Sequence, residues 1–204
     1  MPSIRYLALG DSYTIGESVE MHERWPSQLA ALIEASPEFA GRRVELSFIA
    51  RTGWTTQELW EGIQGKELNP PYDFVSLLIG VNNQYRGYDI EEYRKQFAFL
   101  LNKSIQYAGG DPLRVLVLSI PDWGVTPFAQ GRDWKQIAKE IDAFNAVNRE
   151  ETELASARYL DITPMSRQAV QSSILIASDG LHPSGQMYTE WTKLAWPVVS
   201  QILR

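Results

Sequence analysis

The chain has 204 residues, no cysteine and a net charge of −6, from 19 basic and 25 acidic side chains. The lack of cysteine excludes disulfides and thiolate chemistry, and the acidic balance argues against nucleic acid or an anionic membrane surface as a partner. No apolar run approaches the roughly 20 residues of a membrane span, so stable membrane insertion is not expected.

Apolar runs of strand length alternate with segments of helical period along the whole chain. Five runs predict strands, in chain order at 5–9, 44–50, 73–79, 114–120 and 158–161. Segments with apolar residues at helical spacing lie between and after them, at 25–33, 55–64, 93–104, 137–147 and 187–198. This alternation is typical of a parallel sheet covered by helices on both faces. We therefore expect an α/β fold, a three-layer α/β/α sandwich in one domain over residues 1–204. The spacing does not fix the order of the strands.

Local signals mark the ends of some of these helices. Thr55 and Glu58 are spaced as a capping box, which predicts the start of the second helix. Pro197 is expected to kink or end the last helix because it removes a backbone donor. The apolar face of that helix is predicted at Met187, Trp191, Leu194 and Val198.

The position of the first strand bears on the compartment. The strand begins by Ile4, which leaves no space for a signal peptide before it. A cytoplasmic enzyme is therefore the expectation. A mature secreted or periplasmic form whose leader has been removed would have the same sequence, so that alternative stays open.

Four short stretches follow, or lie near, the carboxyl ends of predicted elements. They are Gly10-Asp11-Ser12, Thr52-Gly53-Trp54, Gly80-Val81-Asn82-Asn83 and Asp179-Gly180-Leu181-His182. The first three follow strands one, two and three, at the edge where ligands bind to open parallel sheets. A serine hydroxyl needs a base, a group that orients the base, and donors for the oxyanion. The chain has two histidines, of which His22 is predicted to be an exposed loop residue, so His182 is the candidate base.

At these four stretches the chain resembles the SGNH hydrolases, also called GDSL esterases and acylhydrolases. That family is marked by Gly-Asp-Ser near the amino terminus, an isolated glycine after strand two, Gly-x-Asn-Asp after strand three, and Asp-x-x-His near the carboxyl terminus. All four blocks occur here in that order. The resemblance implies a flavodoxin-like sandwich whose five-stranded parallel sheet usually has the strand order 2-1-3-4-5.

The resemblance also implies a role for each matching residue. Ser12 would be the nucleophile and His182 its general base, with Asp179 orienting the imidazole. The backbone amides of Ser12 and Gly53 and the side-chain amide of Asn82 would form the oxyanion hole. The expected enzyme is a metal-independent serine hydrolase without a cofactor, which cleaves a small-molecule carboxylic ester through an acyl-enzyme on Ser12.

Two positions depart from the family pattern. Asn83 stands where the family usually has aspartate, and Tyr13 stands where the family name implies leucine. Asn83 can still hydrogen-bond a neighbouring loop, so a modest effect on loop geometry is expected. Four side chains are predicted as substrate contacts, although structural packing explains the aromatic ones at least as well. They are Asn83, Tyr85, Trp123 and Phe128.

The substrate and even the activity have alternatives at this stage. Short-chain or acetyl esters are favoured because no long apolar stretch marks an acyl-chain tunnel. A lysophospholipase or thioesterase of the same family is an alternative. A catalytically inactive ligand-binding relative is another, and the complete set of Ser12, Asp179 and His182 argues against it.

Overall fold

The computed structural model describes residues 3–204 and contains a five-stranded, fully parallel sheet in the order β2-β1-β3-β4-β5. The predicted strand order is therefore confirmed. The strands are β1 (Ile4–Gly10), β2 (Val44–Ala50), β3 (Phe74–Leu78), β4 (Val115–Leu118) and β5 (Arg158–Leu160). The helices are α1 (Ser12–Ile15), α2 (Trp25–Ala35), α3 (Thr56–Gln64), α4 (Val81–Tyr85), α5 (Ile90–Tyr107), α6 (Trp134–Leu154), α7 (Thr163–Ser166) and α8 (Gly185–Ile202).

The sheet lies between two layers of helices, as the alternation of strand and helix predicts. Helices α2 and α8 pack against each other on one side, while α5 packs against both α3 and α6 on the other. Every residue of β3 and β4 is buried, because central parallel strands are covered on both faces. No helix within residues 3–204 is long and apolar enough to cross a membrane.

The strand register brings three loops to one edge of the sheet. Gly10 at the end of β1 is level with Ala50 of β2 on one side and with Leu78 of β3 on the other. Chain segments that leave these three strands must therefore begin side by side. This edge carries the first three of the four sequence blocks.

Backbone chemistry fixes where α3 begins. The Thr55 hydroxyl accepts the Glu58 amide, and the Glu58 carboxylate accepts the Thr55 amide at 2.8 Å. Both bonds of the predicted capping box are therefore present. The start of α3 is held in place directly after the loop that contains Gly53, so the cap also positions that loop.

The last helix departs from part of its prediction. Pro197 was expected to kink or end α8, and it does not end the helix, which continues to Ile202. Pro197 is exposed, and the turn beyond it is retained because Val199 is fully buried. Leu194 was expected on the buried face but is 42% exposed, while Ala195 is buried in its place. Met187 and Trp191 are buried as predicted, so the buried face differs from the prediction by one position only after Trp191, where α8 packs against α2.

Candidate active site

Ser12 is placed by a sharp strand-to-helix turn. It is the first residue of α1, a single helical turn that ends at Gly16 in the left-handed conformation. The carboxylate of Asp11 accepts the Tyr13 amide at 3.0 Å and so caps this turn. A Cβ on Gly10 would collide with the carbonyl of Leu78 on the neighbouring strand. The glycine therefore lets β1 end close to β3 and deliver the serine at the sheet edge.

His182 and Asp179 form a tightly bonded pair on one loop. The distance from His182 Nδ1 to Asp179 Oδ2 is 2.6 Å. Asp179 Oδ1 accepts the backbone amides of Leu181 and His182, each at 2.9 Å. Gly180 has a φ of 74°, which gives the loop the left-handed residue it needs to fold back. Because an ionised carboxylate only accepts, Nδ1 carries the proton and Nε2 is left as the basic nitrogen.

The hydrogen bonds around Asp179 keep it ionised. Burial by itself raises the pKa of this carboxyl group. The His182 ring, the amides of His182 and Leu181 and the hydroxyl of Ser18 all donate to it, and together they hold the pKa of Asp179 well below its usual range. A negative charge therefore faces the imidazole throughout the neutral pH range.

Ser12 and His182 open onto the same cavity, which has a volume of about 150 Å³. Its lining residues come from four separate loops and their helices: Ser12, Tyr13, Val81, Asn82, Tyr85, Trp123, Phe128, Leu181 and His182. The serine is 4% exposed and the histidine 7% exposed, so water reaches both mainly through this cavity. The amino-terminal serine and the carboxyl-terminal histidine thus line one cavity although they are some 170 residues apart in sequence.

Asn82 and Gly53 lie at the sheet edge beside this cavity. Asn82 lines it, and one side-chain N–H of Asn82 donates to the Trp54 carbonyl at 2.9 Å. That bond fixes the amide and leaves its second N–H for another acceptor. Gly53 has a φ of 85° and is not one of the lining residues. Its carbonyl accepts the Arg86 guanidinium at 2.6 Å, which holds the peptide in one orientation.

The model of the GDSL-like lipase/acylhydrolase family matches residues 8–189. The chain belongs to the GDSL-like lipase/acylhydrolase family. Membership supports ester hydrolysis in general as the activity. Among curated proteins, no sequence matches the chain closely enough to count as a relative.

Several solved structures share the fold of this chain. A lipase/acylhydrolase from Enterococcus faecalis is 19% identical with a TM-score of 0.75, over 98% of this chain and 97% of that one. An acetylxylan esterase from Geobacillus stearothermophilus is 17% identical with a TM-score of 0.74, over 98% and 96%. TesA is 16% identical with a TM-score of 0.73, over 98% and 99%. At these identities the likeness shows the fold alone.

Three of the four predicted substrate contacts lie at the cavity of this GDSL-family chain. Tyr85, Trp123 and Phe128 line it, with ring centroids 5.3 to 6.3 Å apart. The Trp123 indole N–H donates to Gln84 at 2.8 Å, which fixes the most buried ring of the three. The guanidinium of Arg132 lies 5.2 to 5.3 Å from all three ring centroids and covers this aromatic wall.

Asn83 does not lie at the cavity, and its assignment as a substrate contact is corrected. It is fully buried, its oxygen accepts the Thr56 amide at 3.1 Å, and its nitrogen donates to the Thr56 hydroxyl at 2.8 Å. Successive residues of a helix point about 100° apart. In α4 this turns Asn82 toward the cavity and Asn83 toward the start of α3. The bond expected to a neighbouring loop is made instead to Thr56, the first residue of α3.

The sequence analysis gave no role to several residues around the GDSL site. The Tyr13 ring lies 5.6 Å from the His182 ring and helps to line the cavity. Asp11 is fully buried, and burial raises its pKa to about 7, although the hydrogen bond from the Tyr13 amide acts to lower it. Ser18 donates to Asp179 at 2.7 Å. Asp11 and Tyr13 adjoin Ser12 in the first sequence block, whereas for Ser18 the only sequence signal was that it lies six residues from Ser12. His22 is exposed, as predicted.

Proposed function

We propose that the chain is a serine esterase that cleaves carboxylic esters through an acyl-enzyme on Ser12. The observation that carries the proposal is the single cavity onto which Ser12, Asn82 and His182 open. The bond of 2.6 Å between His182 Nδ1 and Asp179 Oδ2 supports it further, because it leaves Nε2 free to accept a proton. Membership of the GDSL-like family supports the same reaction class.

In the first half-reaction, the Ser12 oxygen attacks the ester carbonyl carbon while His182 Nε2 takes the hydroxyl proton. A carbon–oxygen bond forms, and the carbonyl electron pair moves onto the carbonyl oxygen. When the tetrahedral intermediate collapses, the bond to the leaving alcohol breaks and His182 returns the proton to that alcohol. Water then attacks the acyl-enzyme by the same steps and releases the acid and Ser12.

The charges that develop in this reaction have partners. The oxyanion would be stabilised by the amides of Ser12 and Gly53 and by the free side-chain N–H of Asn82. The left-handed conformation of Gly53 supports its assignment, since any side chain at this position would strain the backbone. The imidazolium that forms on His182 faces the ionised carboxylate of Asp179.

The size of the cavity supports short-chain or acetyl esters as substrates. A volume of about 150 Å³ lies below the roughly 300–1,000 Å³ typical of sites for drug-sized ligands. It is about the size of a cavity that accepts benzene. This volume supports an acetyl or other short acyl group beside Ser12, with Tyr85, Trp123 and Phe128 limiting the space for a longer acyl chain.

The test is hydrolysis of p-nitrophenyl acetate together with labelling by a serine-directed phosphonate. Ser12→Ala and His182→Ala should each lower kcat by on the order of 10⁴. The phosphonate should label the wild-type protein and fail to label Ser12→Ala. A wild-type protein that binds esters but is neither labelled nor active would be a ligand-binding relative. Turnover by Ser12→Ala near the wild-type rate would refute the mechanism.

A further inference from the structure

Ser18 has a backbone conformation that its residue type disfavours. Its φ is 64°, in the left-handed region where a glycine would be relaxed and a serine is strained. Among residues 3–204, Ser156 is the other non-glycine residue with a positive φ. Ser18 is exposed, so burial of its side chain does not account for its position. The contacts of the Ser18 side chain offer another explanation for this conformation.

The Ser18 hydroxyl donates to Asp179 Oδ2 at 2.7 Å, across 161 positions of sequence. This is the same oxygen that faces His182 Nδ1. The other oxygen of the carboxylate, Oδ1, accepts two backbone amides of its own loop. Ser18 is thus the one donor to this carboxylate that comes from outside the 179–182 loop, among the hydrogen bonds of residues 3–204.

Ser18 also belongs to the segment that directly follows the helix carrying Ser12. The amides of Gly16 and Glu17 both donate to the Ser12 carbonyl, at 2.9 and 3.0 Å. The Glu17 carboxylate accepts the hydroxyl of Thr52, the residue before Gly53. Two adjacent side chains, Glu17 and Ser18, therefore connect the α1 turn to the Gly53 loop and to the Asp179 loop.

We propose that Ser18 is a positioning residue of the catalytic apparatus, whose hydroxyl holds the Asp179 carboxylate, and through it the His182 ring, in register with Ser12. This inference rests on the proposed function. Ser18 does not line the cavity, so it acts on the rate of the chemical step and not on substrate binding. The loss of one hydrogen bond to a charged group should lower kcat about tenfold and leave KM unchanged.

The discriminating variant is Ser18→Gly. Glycine adopts the left-handed conformation more readily than serine, so it preserves or improves the turn while it removes the hydroxyl. If Ser18 served the turn alone, this variant would keep the wild-type rate. Ser156→Gly is the matched control, because it relaxes the same kind of backbone strain at an exposed serine that follows α6. Ser18→Asn restores an N–H donor on a residue that tolerates the left-handed region.

The measurements are kcat and KM for p-nitrophenyl acetate, the rate of phosphonate labelling at Ser12, and the thermal midpoint of unfolding. We expect Ser18→Gly to lose about tenfold in kcat and in labelling rate with no fall in thermal midpoint. Ser156→Gly should match wild type in both rates, and Ser18→Asn should recover part of the loss. The labelling rate does not depend on the choice of ester, so it tests the site even with a poor substrate.

The outcomes separate this inference from the proposed function. A wild-type protein labelled at Ser12, with a Ser18→Gly variant of equal kcat and equal labelling rate, would overturn the inference and leave the esterase proposal intact. A loss in Ser18→Gly confined to KM would also overturn it. A wild-type protein that is not labelled at all would overturn both.

Discussion

The adjacent residues Asn82 and Asn83 provide a sharp test of the proposed mechanism, because the structure places the same type of side chain in two different environments. Asn82 lines the cavity and has one N–H free for an oxyanion, whereas Asn83 is fully buried and bonded twice to Thr56. Substitution of each by alanine should therefore give opposite results. Asn82→Ala should damage catalysis, and Asn83→Ala should damage stability.

The expected magnitudes follow from these contacts. Removal of one oxyanion donor in Asn82→Ala should lower kcat roughly 10²- to 10³-fold, or about 2.7–4 kcal/mol of transition-state stabilisation. The same substitution removes the hydrogen bond from Asn82 to the Trp54 carbonyl, which should lower the free energy of unfolding by only about 1 kcal/mol. Asn83→Ala removes two buried bonds and leaves the first amide of α3 unpaired, which should lower the free energy of unfolding by roughly 2–4 kcal/mol.

The assays are steady-state hydrolysis of p-nitrophenyl acetate and unfolding in urea, with both variants measured side by side. We expect Asn83→Ala to keep activity within about tenfold of wild type, because the Asn83 side chain holds the start of α3 and does not line the cavity. The reasoning would be refuted if Asn82→Ala kept more than a tenth of the wild-type kcat. It would also be refuted if both variants lost activity in proportion to stability.

Two further predictions concern a buried charge and the aromatic wall. Burial raises the pKa of Asp11 to about 7, so the folded state binds this proton more tightly than the unfolded state. The stability that this proton adds to the folded state is therefore lost as the pH rises from about 4 to 7. Asp11→Asn keeps the cap and has no such proton, so in urea titrations its free energy of unfolding should fall over that range by less than that of wild type, the difference being on the order of a few kcal/mol. Parallel curves of the free energy of unfolding against pH for the two proteins would contradict this. Phe128→Ala should widen the cavity and raise the ratio of kcat/KM for hexanoate over acetate esters about tenfold. The control is Phe99→Ala, an equally exposed phenylalanine outside the cavity that should leave the ratio unchanged.

The sequence alone predicted the layers of the fold and indicated the residues of the proposed active site. The nearly continuous apolar run of β3 indicated a strand buried on both faces, and Thr55 with Glu58 fixed the start of α3 through local bonds. Gly10, Gly53 and Gly180 marked the turns, because a collision at Gly10 and a positive φ at Gly53 and Gly180 disfavour other residues there. Family blocks indicated Ser12 and His182, and the structure brings both to one cavity.

Only the tertiary structure decided which of two similar neighbouring residues faces the cavity or the protein core. Asn82 and Asn83 are indistinguishable in composition, and only the direction of α4 makes one a cavity residue and the other a buried link to Thr56. The same holds for Leu194 and Ala195 in α8, where packing against α2 selects the face. Ser18 reaches Asp179 across 161 positions, and no local pattern encodes a contact that exists only once both ends of the chain have folded onto the sheet.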